Sequence, residues 1–337
     1  MTTSFALYRQ PYSDTYTEVV SCREPEVVPH ISGIGTAPGF VIAPFDCSCT
    51  ATPIVLIRPD RVETKRLDGA DVPQKDCSCT AETMSATYKE DFSVFHNAVL
   101  DGTFRKLVLS RTKETALEET CLRNLFAEAC RRYPRLAVML VSTPLTGTWL
   151  VATPETLLSG DGTWWKTTAM AGTMPYQDGF QEWSRKNCQE QHVVETYIEE
   201  CLSAIAEDVI KDGPATRRAG NLVHLCTDFR FHLTPGHTVG DVLTALHPTP
   251  AVCGIPKEKA YRFIKDNEHT PRLYYSGFMG PVGIDGKTSL YVSLRCARLD
   301  GNRAVLYAGG GIMPESEALS EWEETENKMQ TIGDVLK

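Results

Sequence analysis

At 337 residues, with 42% hydrophobic and 23% charged side chains, the chain carries enough apolar mass for a large core and lacks the composition of a disordered or fibrous protein. Thirty-four Lys and Arg against 43 Asp and Glu leave a net charge of −9, with the basic residues scattered, which argues against nucleic acid as a partner. No apolar run approaches the ~18 residues of a membrane helix, and the twelve cysteines, behind an N-terminus without a signal-peptide pattern, are expected to be reduced thiols of a cytoplasmic protein.

Residues 1–85 read as strands and turns, with Phe40 to Ala43 and Ile54 to Ile57 as β-rich runs among Pro, Gly and Asp. Gly33, Gly35 and Gly39 do not form a dinucleotide fingerprint, because Pro38 interrupts them and no helical pattern follows. The hexapeptide Asp-Cys-Ser-Cys-Thr-Ala occurs at 46–51 and again at 76–81. Cys-x-Cys is tighter than the usual zinc spacing, so these cysteines are expected to pack on one face of a strand.

The spacing of Phe92, Phe95, Val99 and Leu100 predicts a helix over 88–100, handing over to a strand at 106–111. A second helix is expected over 118–132, followed by strands at 136–141 and 148–152 joined by a Pro/Gly turn, and a further hairpin ending at 168–173. A long helix is expected over 182–207. Strands follow at 222–227, 272–284, 289–298 and 303–308, with a helix near 258–266. Near the C-terminus, Gly309-Gly310-Gly311 reads as a bare loop feeding a helix that Ser320 and Glu323 start as a capping box. Strands in runs with helices between them predict an α+β fold: one large domain, 1–337, of stacked, mainly antiparallel sheets flanked by helices.

Several polar residues stand where apolar ones are expected. Lys106 opens a strand whose same-face neighbours are Val108 and Ser110, so it either snorkels to water or is desolvated and becomes a usable base. Glu155 follows Pro154 at a strand end, as an exposed turn residue or as a carboxyl held protonated against an apolar wall. Glu190 shares a helix stripe with Val193, Val194 and Tyr197, where its charge requires a cation, a metal or its own proton. Glu321, Glu324 and Lys328 share one face of the last helix, which fits either a solvated i,i+4 pair or a divalent-cation site. The segment from Leu246 to Pro256 holds three prolines and presents its backbone in one fixed shape. Arg295, among apolar residues, suits a bidentate grip on a carboxylate or an internal ion pair.

Seven stretches in order carry a family resemblance: Lys106-Leu-Val-Leu-Ser-Arg111, Ala152-Thr-Pro-Glu155, Ala171-Gly-Thr173, Leu246-His-Pro-Thr-Pro-Ala251, Tyr275-Ser-Gly277, Leu294-Arg-Cys-Ala297, and Ala308-Gly-Gly-Gly-Ile312 through Glu321-Trp-Glu-Glu-Thr-Glu-Asn-Lys328. The chain thereby resembles the chorismate-utilising enzymes over about residues 95–332, and among them the isochorismate synthases. Residues 1–85 contribute little to this resemblance. It implies a Mg²⁺-dependent isomerisation of chorismate, with Lys106 as the base that activates water and Glu155 as the acid for the departing hydroxyl. It implies Glu190 and Glu324 as Mg²⁺ ligands with Glu321 in the outer shell. It places Gly172, Thr173, His224, Ala251, Tyr275, Arg295, Gly309, Gly311 and Lys328 around the substrate.

Ala171 stands where aminodeoxychorismate synthases carry a nucleophilic lysine, which closes that route. Salicylate synthase and a non-catalytic chorismate- or metal-binding relative remain rival readings. Asn187 falls where relatives often have a carboxylate, which bears on the tightness of the Mg²⁺ site. Neither a membrane nor nucleic acid is expected as a partner, and a monomer is expected. Service to menaquinone, siderophore or salicylate formation is left open.

Overall fold

The computed structural model describes residues 3–67, 83–117, 121–178, 182–219 and 222–337. Two nine-stranded antiparallel sheets lie face to face. The first runs, in spatial order, through Gly254–Ile255, Lys106–Ala116, Arg303–Ile312, Cys296–Asp300, Gly147–Thr153, Ala137–Thr143, Ser4–Arg9, Thr15–Ser21 and Arg61–Arg66. The second runs through Ala206–Ala219, Leu222–Leu233, Trp165–Pro175, Thr156–Gly160, Thr288–Val292, Phe278–Val282, Gly39–Ala43, Ile54–Ile57 and Glu26–Val28. The expected α+β architecture is therefore present, and the N-terminal 66 residues supply strands to both sheets rather than forming an appendage.

Period-two alternation builds the layers. In Ala137–Thr143, Ala137, Met139 and Val141 face the second sheet and pack with Phe40, Ile42 and Tyr291, while Val138 and Leu140 face outward onto a helix. The helices are α1 (Ala86–Leu100), α2 (Leu122–Arg132), α3 (Arg185–Ser203), α4 (Val239–Leu246), α5 (Lys257–Asn267) and α6 (Ala318–Gly333). α2 and α6 cover the outer face of the first sheet, and α3 and α4 that of the second. α1 and α5 close the edge beside Lys106–Ala116. No helix among the described residues is long and apolar enough to cross a membrane.

Some expected boundaries move, for identifiable reasons. The glycine triad is not a loop: it lies inside the strand Arg303–Ile312, paired with Val108 to Ser110. α6 begins at Ala318 behind Glu317, which makes no side-chain cap, so Ser320 is helical rather than the start of a capping box. The 272–284 strand shrinks to Phe278–Val282, because Leu273 and Ser276 adopt φ of 50° and 60° and turn the chain before it. The 289–298 strand breaks at Arg295, φ 45°, into two strands belonging to different sheets, so Arg295 is not mid-strand. α3 stops at Ser203, where its apolar stripe of Val194, Ile198 and Leu202 ends, and an unforeseen exposed edge strand, Ala206–Ala219, follows. Residues 46–51 form turns rather than a strand, with Cys47 and Cys49 half-buried. The second copy of that hexapeptide lies outside the described residues.

Candidate active site

Two places where the chain crosses from one sheet to the other define the site. Thr153-Pro154-Glu155-Thr156 carries it from the first sheet to the second, and Ser293-Leu294-Arg295 carries it back. The crossings are tied to each other. Thr153 Oγ1 donates to the Val292 carbonyl at 2.7 Å, Val292 N–H to Glu155 O at 3.0 Å, and Ala152 N–H to Arg295 O at 3.1 Å. Proline at 154 suits a crossing because it fixes φ and needs no ladder donor. Left-handed backbone at Arg295 is the kind of strain that persists only where the surroundings over-determine it.

Between the sheets lies a cavity of about 70 Å³ lined in part by Glu155, Gly172, Thr173, Glu190, His224, Ala251, Tyr275, Arg295, Gly309, Gly311 and Lys328. It is narrower than the roughly 300–1,000 Å³ usual for ligand pockets. Glu190 lines it and is paired with a lysine behind the lining: Lys106 Nζ lies 2.9 Å from Glu190 Oε1, while Lys106 itself is not among the lining residues. Lys106 is fully buried on the face it shares with Val108 and Ser110, so it does not snorkel to water. Burial works to raise the Glu190 carboxyl, but the Lys106 ammonium, with Lys328 and Lys186 behind it, outweighs burial and holds it below its ordinary value. Glu155, only 3% exposed, lacks such a partner, and burial pushes its carboxyl up to about 8 against the pull of Lys106.

A bulge at Gly172, φ 64°, shifts the register between Trp165–Pro175 and Leu222–Leu233. It aims the Gly172 N–H at Glu190 Oε2, 3.2 Å away, and its carbonyl at His224 Nδ1, 3.1 Å away. Arg295 donates to the other ring nitrogen of His224 and, at 3.0 Å, to the Ala219 carbonyl. Burial, then the charge of Arg295, drives His224 well below the usual imidazole range, so it is neutral. Burial also lowers the Arg295 guanidinium, to about 10.

The strand Arg303–Ile312 separates the acidic side chains. A Cβ on Gly311 would stand 2.4 Å from Glu190 Oε1, and one on Gly310, on the opposite face, 2.8 Å from Glu321 Oε2 and 4.0 Å from Glu324 Oε1. A side chain at either position would have to push a carboxylate off the strand backbone. Lys328 Nζ links the two sides, donating to Gly309 O at 2.9 Å and Glu324 Oε1 at 2.6 Å. Glu321 and Glu324 therefore lie behind the cavity wall rather than in it. Hard carboxylate oxygens suit Mg²⁺, and Glu321 Oε2 is buried without a hydrogen-bond partner, so the donor set fits a divalent cation. Among the described residues, however, no three His, Cys, Asp or Glu side chains gather closely enough to share one ion as they stand.

Sequence reasoning missed three supports. Lys186, one turn before Glu190, donates to Glu321 Oε1 at 2.5 Å. Its i,i+4 spacing to Glu190 was a usable signal. The buried pair Glu268–Arg272 pins the proline-rich loop to the Lys106 strand: Arg272 donates to Val252 O at 2.6 Å and Val108 O at 2.7 Å, while Glu268 Oε1 accepts from Ser110 N–H at 2.7 Å. Thr249, within that loop, is the hydroxyl that works with Lys106 against the burial of Glu155, drawing its carboxyl down.

A narrow cleft lined by a buried acid, a lysine and an arginine at paired sheet crossings suits a small anionic ligand. Residues 55–337 match the model of the chorismate binding enzymes, and the chain belongs to that family. It is 31% identical over 261 residues to the vibriobactin-specific isochorismate synthase of Vibrio cholerae, covering 73% of this chain and 65% of that one. It is 30% identical over 261 residues to the salicylate biosynthesis isochorismate synthase of Pseudomonas aeruginosa, covering 71% and 52%. Across these and the isochorismate synthases of Bacillus subtilis and Escherichia coli, the match spans 42–65% of the relatives' length. In fold it is similar to the menaquinone-specific isochorismate synthase MenF of Escherichia coli, with TM-score 0.82, 20% identity, and 99% and 89% of the two chains covered. It also resembles anthranilate synthase component I of Streptococcus pneumoniae, with TM-score 0.71, 16% identity, and 98% and 92% covered.

Proposed function

We propose that this chain isomerises chorismate to isochorismate. The observation that carries the reading is Glu155, a buried carboxyl that titrates near 8 and so holds a proton at neutral pH. A leaving hydroxide needs such an acid. In the proposed reaction Lys106, in its unprotonated form, takes a proton from water as the water oxygen bonds to ring C2. The double bond shifts, and the C4–O bond breaks as Glu155 gives its proton to the departing hydroxyl. One water enters and one leaves, so atoms balance and no redox partner is needed. Arg295 would take the enolpyruvyl carboxylate, a role supported by its position in the cavity lining beside Tyr275, Gly309 and Gly311.

Mg²⁺, held by Glu190 and Glu324 with Glu321 behind them, would supply positive charge to the ring carboxylate. The relatives' names support the isomerase reading, since those of Vibrio cholerae and Pseudomonas aeruginosa are both isochorismate synthases. Product analysis with chorismate tests it. Isochorismate without pyruvate is the expected result, and stoichiometric pyruvate with salicylate would replace the reading by salicylate synthase.

A further inference from the structure

Each carboxylate of the acidic group has its own lysine. Lys106 pairs with Glu190 at 2.9 Å, Lys328 with Glu324 at 2.6 Å and Lys186 with Glu321 at 2.5 Å. Three ammonium groups thus neutralise three carboxylates, and while they do, the carboxylates are held apart. The lysines are not equivalent. The Lys106 side chain is 1% exposed and Lys328 18%, whereas Lys186 is 28% exposed at the first turn of α3. Only Lys186 of the three therefore has an easy path into water. Its ammonium also feels Glu324 and Glu190 besides its partner Glu321. Glu321, by contrast, is 2% exposed, and its second oxygen has no hydrogen-bond partner. A buried carboxylate in that state takes whichever cation is offered.

We propose that Lys186 is the resident counter-ion of the acidic group, a positioning residue that a divalent cation must displace from Glu321 and that thereby sets the metal affinity of the site. The proposal rests on the reading that Glu190 and Glu324 hold the metal with Glu321 behind them, and adds that Glu321 answers to the ion's charge once Lys186 leaves it. Lys186 holds α3 against α6 in the metal-free protein through the Glu321 contact. When it swings out, the group gains a net negative charge and Glu321 regains both oxygens. The cost of parting that ion pair is subtracted from the affinity for the metal.

The test is binding of Mn²⁺ alone, without chorismate, followed by the EPR signal of free Mn²⁺ for the parent protein, Lys186→Met and Lys186→Arg. Lys186→Met is expected to bind Mn²⁺ at least about tenfold more tightly, a figure reduced for the partial exposure of the lysine, and Lys186→Arg to stay near the parent. In a thermal melt, Lys186→Met is expected to unfold earlier without metal and to gain more from Mn²⁺ than the parent. Unchanged or weaker binding by Lys186→Met, or no Mn²⁺ binding by either protein, overturns the proposal. Lys186→Gln serves in its place if Lys186→Met does not fold. Conversion of chorismate by the parent, with affinity unmoved by either neutral variant, would reject this role for Lys186 and leave the isomerase reading standing.

Discussion

The Arg295 guanidinium donates to Nε2 of His224, which leaves the imidazole proton on Nδ1, facing the Gly172 carbonyl and Thr173 Oγ1. A neutral histidine thus acts as a fixed acceptor that orients the arginine, and the Gly172 bulge fixes the histidine. Lysine at 295 would keep the charge but lose the planar fork that serves His224 and the Ala219 carbonyl and that the proposed reading also directs at the substrate carboxylate. Arg295→Lys is expected to lower kcat/KM for chorismate by roughly 10- to 150-fold, mostly through KM, the equivalent of one charged hydrogen bond. A KM equal to that of the parent would remove the arginine from substrate binding.

Lys106→Met removes the proposed base and strips Glu190 of its paired cation. Turnover is expected to fall by about 10²–10⁴-fold. Stability in urea is expected to fall by about 1–3 kcal/mol, less than for a sealed ion pair, because Lys328 and Lys186 also act on Glu190. A variant with near-normal rate would refute the assignment of the base.

Glu155 gives a pH dependence of defined sign. Its carboxyl moves from an ordinary 4.5 in the unfolded chain to about 8 in the folded one. The folded state therefore holds the extra proton between those values, and stability declines as pH rises through that window, by up to ~1.4 kcal/mol per pH unit. Glu155→Gln should abolish that slope. In the parent, kcat/KM should fall as pH rises past about 8, when the acid loses its proton. A profile flat to pH 10 would contradict the role.

Gly311→Ala is a steric test of the Lys106–Glu190 contact. Its methyl would meet Glu190 Oε1 at 2.4 Å and Lys106 Cε at 3.1 Å, forcing the pair apart. Activity is expected to drop at least about tenfold, with a stability loss of roughly 1–3 kcal/mol from overpacking. Parent-like activity would mean that the pair tolerates displacement.

Short runs of β-branched and aromatic residues, such as Phe40 to Ala43 and Ile54 to Ile57, made strands legible in the sequence, and a lysine in line with Val108 and Ser110 pointed to Lys106 before any packing was known. What was not legible is what depends on tertiary closure. Nothing local in Leu290 to Leu299 indicates that the chain changes sheets at Arg295, because apolar residues flank it on both sides. The glycine triad looked like a loop because glycine disfavours strands. Here the close approach of Glu190 and Glu321 from opposite faces overrides that preference. Lys186 escaped notice because its partner lies 135 residues away on another helix.

The central claim is met most directly by a chromatogram of purified protein incubated with chorismate and Mg²⁺, run beside the same reaction in EDTA. Isochorismate should accumulate with Mg²⁺ and be absent with EDTA. Product that is unaffected by EDTA, or chorismate left intact under both conditions, would contradict the account.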